Sequence, residues 1–126
     1  MKQTFILKGE IIPKARPKVT RNGTFYPPRY KDFLEDATRQ LIIQKKVFRR
    51  KLTPPCELEI VLYNPHRRGD CDNLAGSIMD VLVRAEILPN DNLNSVCQLF
   101  VAYIDDGSRL KSASVTLTNG DDIADF

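Results

Sequence analysis

Tryptophan is absent from this chain, and histidine occurs once, as His66. Serine-hydrolase triads, papain-like pairs and histidine acid–base mechanisms would all lean on that residue. It sits in Asn64-Pro65-His66-Arg67, with no recognisable nucleophile motif around it. Cysteine is scarce and odd in number: Cys56, Cys71 and Cys97, with no C-x-x-C pair. With His66 they make a Cys3His zinc set arithmetically available, but cysteine spacings of 15 and 26 residues match no common zinc pattern. Reduced, mostly buried thiols are the expectation. No apolar run approaches the ~20 residues of a membrane span. The apolar stretch near Met1 is too short for a secretory signal. The expected location is the cytoplasm, with no membrane partner and no organic cofactor. Internal repeats, linkers and low-complexity segments are also missing.

What is present fits one domain. The chain has 126 residues, 42% hydrophobic and 28% charged, ordinary globular values. A chain of this size hides roughly two-thirds of its unfolded surface on folding. The net charge of +3 conceals a division. Residues 1–53 carry 14 Lys and Arg against 4 Asp and Glu, a net +10; residues 54–126 carry 5 against 12, a net −7. The basic half suits a polyanion. Clustered acids either lie on a solvated face or hold a hard cation, and Asp121, Asp122 and Asp125 contribute part of the split as an acidic tail.

The hydrophobic pattern predicts an α+β fold: a single domain over residues 1–126, with a mainly antiparallel mixed sheet and two packed helices. Residues Thr4 to Ile12 read as a strand, with Phe5 and Leu7 on one face and Pro13 ending it. Asn22-Gly23 is a hairpin-turn signal between Lys18–Thr20 and Thr24–Tyr26. After two prolines, Tyr30, Leu34, Ala37, Leu41 and Phe48 recur at helical spacing, with Phe33 and Ile42 widening the stripe. The far end of that helix is basic: Lys45, Lys46, Arg49, Arg50 and Lys51. Cations suit a helix C-terminus, so this run alone does not indicate nucleic acid. Residues Cys56 to Tyr63 alternate as a strand. Asp72-Asn73 offers the cap of a second helix reaching about Ala85, striped by Leu74, Ile78, Val81, Leu82 and Ala85. Val96 to Ile104 and Lys111 to Leu117 read as strands joined through Asp105–Ser108, most simply a turn. A polar, acidic and frayed tail is expected from Asn119.

The sharpest local feature is Arg68-Gly69-Asp70-Cys71-Asp72-Asn73, followed by Asp91 in Pro89-Asn90-Asp91. In an extended segment the side chains of Asp70 and Asp72 point the same way. Two unpaired carboxylates that close repel, and Mg2+ removes the conflict by accepting one or two hard oxygens and completing its shell with water and phosphate. Asp91 could return as a third ligand if the chain curves back around the intervening helix. A plain reading stands beside this one: Asp72 is an adequate helix cap without metal, and Asp91-Asn92 an ordinary turn. The basic stretch Lys14, Arg16, Lys18 and Arg21 is likewise either a solvated loop or a phosphate contact. Together, a cationic arm and a carboxylate cluster are what metal-assisted phosphodiester hydrolysis requires, with no histidine.

These residues carry a resemblance. Pro13-Lys14-Ala15-Arg16-Pro17-Lys18, with Tyr26-Pro27, resembles the N-terminal proline and basic motif of the RusA family of Holliday-junction resolvases. Asp70-Cys71-Asp72-Asn73-Leu74, with Asp80 in the following helix, resembles its central D-x-D-N signature. Asn90-Asp91 with Val96 resembles its third acidic block. The likeness runs from about Phe5 to Leu117 in the family's order. It implies a small, often prophage-encoded, homodimeric endonuclease that resolves four-way DNA junctions by paired symmetric nicks in recombination and repair. It implies that Asp70, Asp72 and Asp91 bind Mg2+, with Mn2+ able to substitute. Lys14, Arg16 and Lys18 would approach DNA phosphates, and Arg21, Arg67 and Arg68 are counted with them. Asp80 is expected to support the ligands or contact the sheet rather than to ligate.

One departure matters. The family usually has a lysine four residues after the second aspartate, tied to catalysis; here Gly76 stands there. Glycine costs roughly 1 kcal/mol relative to alanine inside a helix, so it is no drift toward a better helix former. Either another cation substitutes (Arg67, Arg68 and Lys14 are the local ones), or the protein binds branched DNA with weakened turnover, or the glycine serves close helix packing. A third class, a metal-stabilised interaction protein with no nucleic-acid role, predicts binding that salt does not weaken.

Overall fold

The computed structural model describes residues 2–48, 51–64 and 70–120, with the side chain of Cys71 excepted. Residues 1, 49–50, 65–69 and 121–126 lie outside it, and with them fall the expectations for His66, Arg67, Arg68, Arg49, Arg50 and the last three aspartates. The element order is β1 (Lys2–Lys8), β2 (Lys18–Thr20), β3 (Gly23–Phe25), α1 (Pro28–Lys45), β4 (Cys56–Tyr63), α2 (Cys71–Arg84), β5 (Val96–Ile104) and β6 (Ser112–Thr118).

Four strands form one sheet in the order β1-β6-β4-β5, and β2 and β3 form a separate two-stranded ribbon. β6 pairs antiparallel with β1 and with β4, whereas β4 and β5 run parallel. Parallel neighbours need a crossover, and α2 is that crossover. The sheet is therefore mixed and mostly antiparallel, as its strand pattern predicts. Among the described residues, no helix is long and apolar enough to cross a membrane.

Period-two alternation puts Phe5 and Leu7, Leu58, Ile60 and Leu62, and Ala113, Val115 and Leu117 on one face. The stripes Tyr30-Leu34-Ala37-Leu41 of α1 and Leu74-Ile78-Val81-Leu82 of α2 close over that face in a single core. The other face meets water, where Thr4, Ile6 and Glu59 are exposed.

Several boundaries differ from expectation, each for a local reason. β1 stops at Lys8 because Gly9 takes φ 101°, a left-handed conformation open to glycine. Thr20 pairs with Gly23, so Arg21-Asn22 make the turn and Gly23 opens β3. α1 ends at Lys45, and Ile42 is exposed rather than part of the stripe. α2 begins at Cys71, two residues early, because the Asp70 carboxylate accepts from the Asn73 N–H at 3.1 Å and caps it. Asn119 is buried rather than frayed: its Oδ1 accepts from the Thr53 N–H. Of the thiols, Cys56 is buried, and burial pushes its pKa up. Cys97 is exposed, against the expectation of buried thiols, because β5 lies at the sheet edge.

The end of β4 is pinned by Asn64, buried at φ 68°. Its amide donates to the Leu110 carbonyl and to Ser108 Oγ, and its Oδ1 accepts from the Asp106 N–H. It thereby ties β4 to the β5–β6 turn, where the Ser108 N–H also holds the Asp106 carboxyl below its usual range. Asn64→Ala removes three hydrogen bonds that a buried side chain makes to exposed turn residues, at about 0.5–1.5 kcal/mol each. Urea denaturation should show a loss of at least about 2 kcal/mol; a loss of a few tenths would mean that water replaces the side chain.

Candidate functional site

The arm between β1 and α1 has no acidic residue from Pro13 to Pro28 and carries Lys14, Arg16, Lys18 and Arg21. Every residue of β2 and β3 is exposed. Val19 and Phe25 lie out on this ribbon with large apolar surfaces in water. Among the described residues, the ion pairs leave out Arg16, Lys18 and Arg21. A two-stranded ribbon is marginal on its own. It also has the width that a DNA major groove admits.

The root of the arm is fixed on α2. The Lys14 N–H donates to the Asn73 carbonyl at 3.3 Å, and Ser77 Oγ donates to the Ile12 carbonyl. Lys14 Nζ pairs with Asp80 Oδ1 at 3.3 Å. The other oxygen of Asp80 accepts from the Tyr30 hydroxyl at 2.8 Å. One carboxylate thus joins the arm, α1 and α2. Burial, then the bond to Asp80, pushes the Tyr30 pKa far up, so its proton stays in place.

Gly76 belongs to the same cluster. A Cβ built there would meet Lys14 Cδ at 3.3 Å and Lys14 Cβ at 3.8 Å. The stem of Lys14 lies in the space that the glycine leaves open.

The expected acids are distributed along α2. Asp70 caps the helix, engaging one of its two oxygens, and Asp72 lies in the first turn. Both are exposed. The helical turn replaces the extended geometry in which the two would point the same way. Asp91 lines an open groove of about 260 Å3 with Tyr26, Asp80, Arg84 and Asn90, toward the other end of the helix. Among the described residues, no three His, Cys, Asp or Glu side chains come together as a metal-holding group. Asp70, Asp72 and Asp91 therefore do not form one within the single chain. As a donor set, exposed hard oxygens at Asp70 and Asp72 still suit Mg2+, which takes one or two carboxylates and fills its shell with water and phosphate.

The sequence is matched by the family model described as Endodeoxyribonuclease RusA over residues 8–112. The chain belongs to the RusA family. Comparison with curated proteins gives no match. RusA proteins are endodeoxyribonucleases that act on branched DNA junctions, and membership implies that activity class and substrate class here. The matched span takes in the arm, α2 and Asp91, so each feature described above lies within the RusA part of the chain.

Sequence reasoning missed Tyr30 as a polar partner, counting it only among the apolar stripe, and gave Asn64 and Ser77 no hydrogen-bonding role. A tyrosine in an otherwise aliphatic stripe is a usable signal, because a buried hydroxyl requires a partner. Which partner it finds depends on how the helices pack. Because the Tyr30 pKa is raised above its ordinary 10.0, its contribution is intact below pH 10 and declines as pH rises further, where the unfolded chain ionises first. Urea unfolding of the native protein should lose stability above pH 10. Tyr30→Phe should be less stable at neutral pH, by about 1–3 kcal/mol, with a shallower alkaline slope; an unchanged slope would assign the alkaline loss to other groups.

Proposed function

We propose that this RusA protein is a Mg2+-dependent, structure-selective endonuclease that resolves four-way DNA junctions as a homodimer. The hydrogen bond from the Lys14 N–H to the Asn73 carbonyl carries the reading. It sets an arm rich in cations and free of acids against the first turn of α2, beside Asp70 and Asp72. DNA phosphates bound along the arm would lie near carboxylates that suit a hard cation.

In this reading Lys14, Arg16, Lys18 and Arg21 grip the backbone, and Arg67 and Arg68, shortly before α2 in the sequence, join them. Asp70 and Asp72 would hold Mg2+ through their exposed oxygens, and Asp91 would serve as a third ligand where assembly on the junction brings it to them. Mg2+, when bound, polarises the scissile phosphate and eases deprotonation of water near neutral pH. Asp80 keeps Lys14 and Tyr30 in place. In-line attack on phosphorus needs the phosphate fixed, and that is the task of the arm.

Homodimerisation rests on β5. Among the described residues it pairs only with β4, so its outer edge is free. In register, Leu99 lies beside Leu58 and Tyr103 beside Leu62. Leu58 and Leu62 are buried under the helices, yet Leu99 is 47% and Tyr103 52% exposed, because neither helix reaches over the edge strand. A long apolar edge invites pairing with another chain. A second copy, related by a two-fold axis, would cover it and present two sites to a symmetric junction. Tyr103→Asp should convert dimer to monomer by light scattering and suppress paired nicking; a dimer that survives the change would move the interface elsewhere.

Asparagine caps a helix about as well as aspartate, so Asp70→Asn removes a charge and keeps the fold. Junction cleavage in Mg2+ should fall at least a hundredfold, while binding in chelator holds within a few-fold. Equal loss of both would make Asp70 purely structural. Phosphate binding also requires affinity to drop steeply as salt rises; salt-insensitive binding would favour a protein-interaction role.

A further inference from the structure

Lys14 differs from the other cations of the arm. Arg16, Lys18 and Arg21 are exposed on or near the ribbon, with no ion pair among the described residues. Lys14 is held at three levels. Its backbone N–H is bonded to the Asn73 carbonyl, its stem occupies the space over Gly76, and its ammonium faces Asp80. The side chain nevertheless remains 46% exposed. An ammonium has three donors, and one carboxylate oxygen does not use them all. The cation is thus fixed in place and still open to a ligand.

Fixed charge and mobile charge do different work. A mobile cation loses side-chain entropy when it meets a phosphate, and it contributes mainly to binding. A cation held before the substrate arrives stabilises charge that develops in the transition state without reorganising. Asp80 does the holding and is itself anchored by the Tyr30 hydroxyl. Gly76 provides the room: any side chain there would press on the Lys14 stem.

We infer that Lys14 is the cation that stabilises the scissile phosphate, seated through the opening left at Gly76. Asp80 and Tyr30 act as positioning residues for it. The inference rests on the endonuclease reading above. In the step it serves, water adds to phosphorus and gives up a proton to solvent, the phosphorus–oxygen bond to the departing strand breaks, and the departing oxygen takes a proton from solvent. Lys14 keeps its protons throughout and contacts a non-bridging oxygen.

The test compares four forms of the full chain on a labelled immobile four-way junction: native, Lys14→Met, Gly76→Leu, and Lys14→Met combined with Gly76→Lys. Single-turnover cleavage in Mg2+, junction affinity in chelator at several salt concentrations, and the thermal midpoint are read for each. Lys14→Met keeps an unbranched stem without charge. It should cut at least a hundredfold more slowly, bind within a few-fold of native, and lower the salt slope by about 0.9 for each phosphate no longer neutralised. Gly76→Leu keeps the charge and displaces the stem while improving helix propensity. It should slow cleavage without lowering the thermal midpoint. The combined variant returns an ammonium to the same space from the helix and should recover at least tenfold over Lys14→Met.

Native cleavage rates in Lys14→Met would overturn the inference while leaving the endonuclease reading intact. So would a loss of affinity as large as the loss of rate, which marks an ordinary binding cation. A fall in thermal midpoint that accounts for the lost activity in both single variants would assign the contact to folding alone. A native chain that cuts no junction in Mg2+ or Mn2+ would overturn the endonuclease reading itself, and the role of Lys14 with it.

Discussion

The parallel pairing of β4 with β5 dictates where everything else lies. Two parallel neighbours cannot be joined by a hairpin, so the chain must leave the end of β4, cross the sheet and return to the start of β5. α2 makes that crossing, and its 14 residues span about 21 Å. Asp70 and Asp72 stand where the crossing begins, and Asp91 lies in the segment that returns from it. That separation is why the three acids, close in sequence pattern, do not converge within one chain. The same crossing leaves β5 at the sheet edge beyond the reach of either helix, with Leu99 and Tyr103 half in water.

Asp80 is the second organising point. It lies partway along α2, turned toward α1 and the arm rather than into the apolar core. A carboxylate there needs partners, and two segments far away in sequence supply them. Tyr30 brings a hydroxyl from the buried stripe of α1, and Lys14 brings a charge from the arm. A chain that would otherwise leave β1 as a free loop is thereby seated on the crossover helix. Ser77, bonded to the Ile12 carbonyl, reinforces the seat one turn away.

Local patterns told most of the fold. β4 and β5 run between the residues their alternation indicates, because each strand is bounded by turn chemistry that the sequence displays. Both helical stripes are buried, save that Ile42 is exposed and Phe48 lies beyond the end of α1. Failures came where two residues offered the same local chemistry. Asp70 and Asp72 are equally good caps, and only the Asn73 N–H, once placed, decides between them. Asn22 and Gly23 both favour turns, and the Thr20–Gly23 pairing shifts the turn by one. Asn119 looks like the start of a polar tail until Thr53 arrives beside it from another part of the chain. For the site, the residue types and the family were legible, since D-x-D-N and the basic arm are contiguous. The approach of Lys14 to Gly76 and Asp80 was not, because it depends on how the arm packs against α2.

The pair between Lys14 and Asp80 makes a poor stabiliser. Both partners are partly in water, and exposed ion pairs of this kind contribute about 0–1 kcal/mol. Asp80 already has the Tyr30 hydroxyl, and the arm is already tied by two backbone-directed hydrogen bonds. Stability alone therefore gives little reason for a lysine whose stem fills the space over a glycine in the middle of a helix, a residue that itself costs roughly 1 kcal/mol there relative to alanine. The two costs make physical sense together if the position of the ammonium is what matters. A chain with a net +10 in its first 53 residues has no shortage of charge for holding DNA. What the arm lacks elsewhere is a charge that stays still, and the cluster of Lys14, Gly76, Asp80 and Tyr30 provides it.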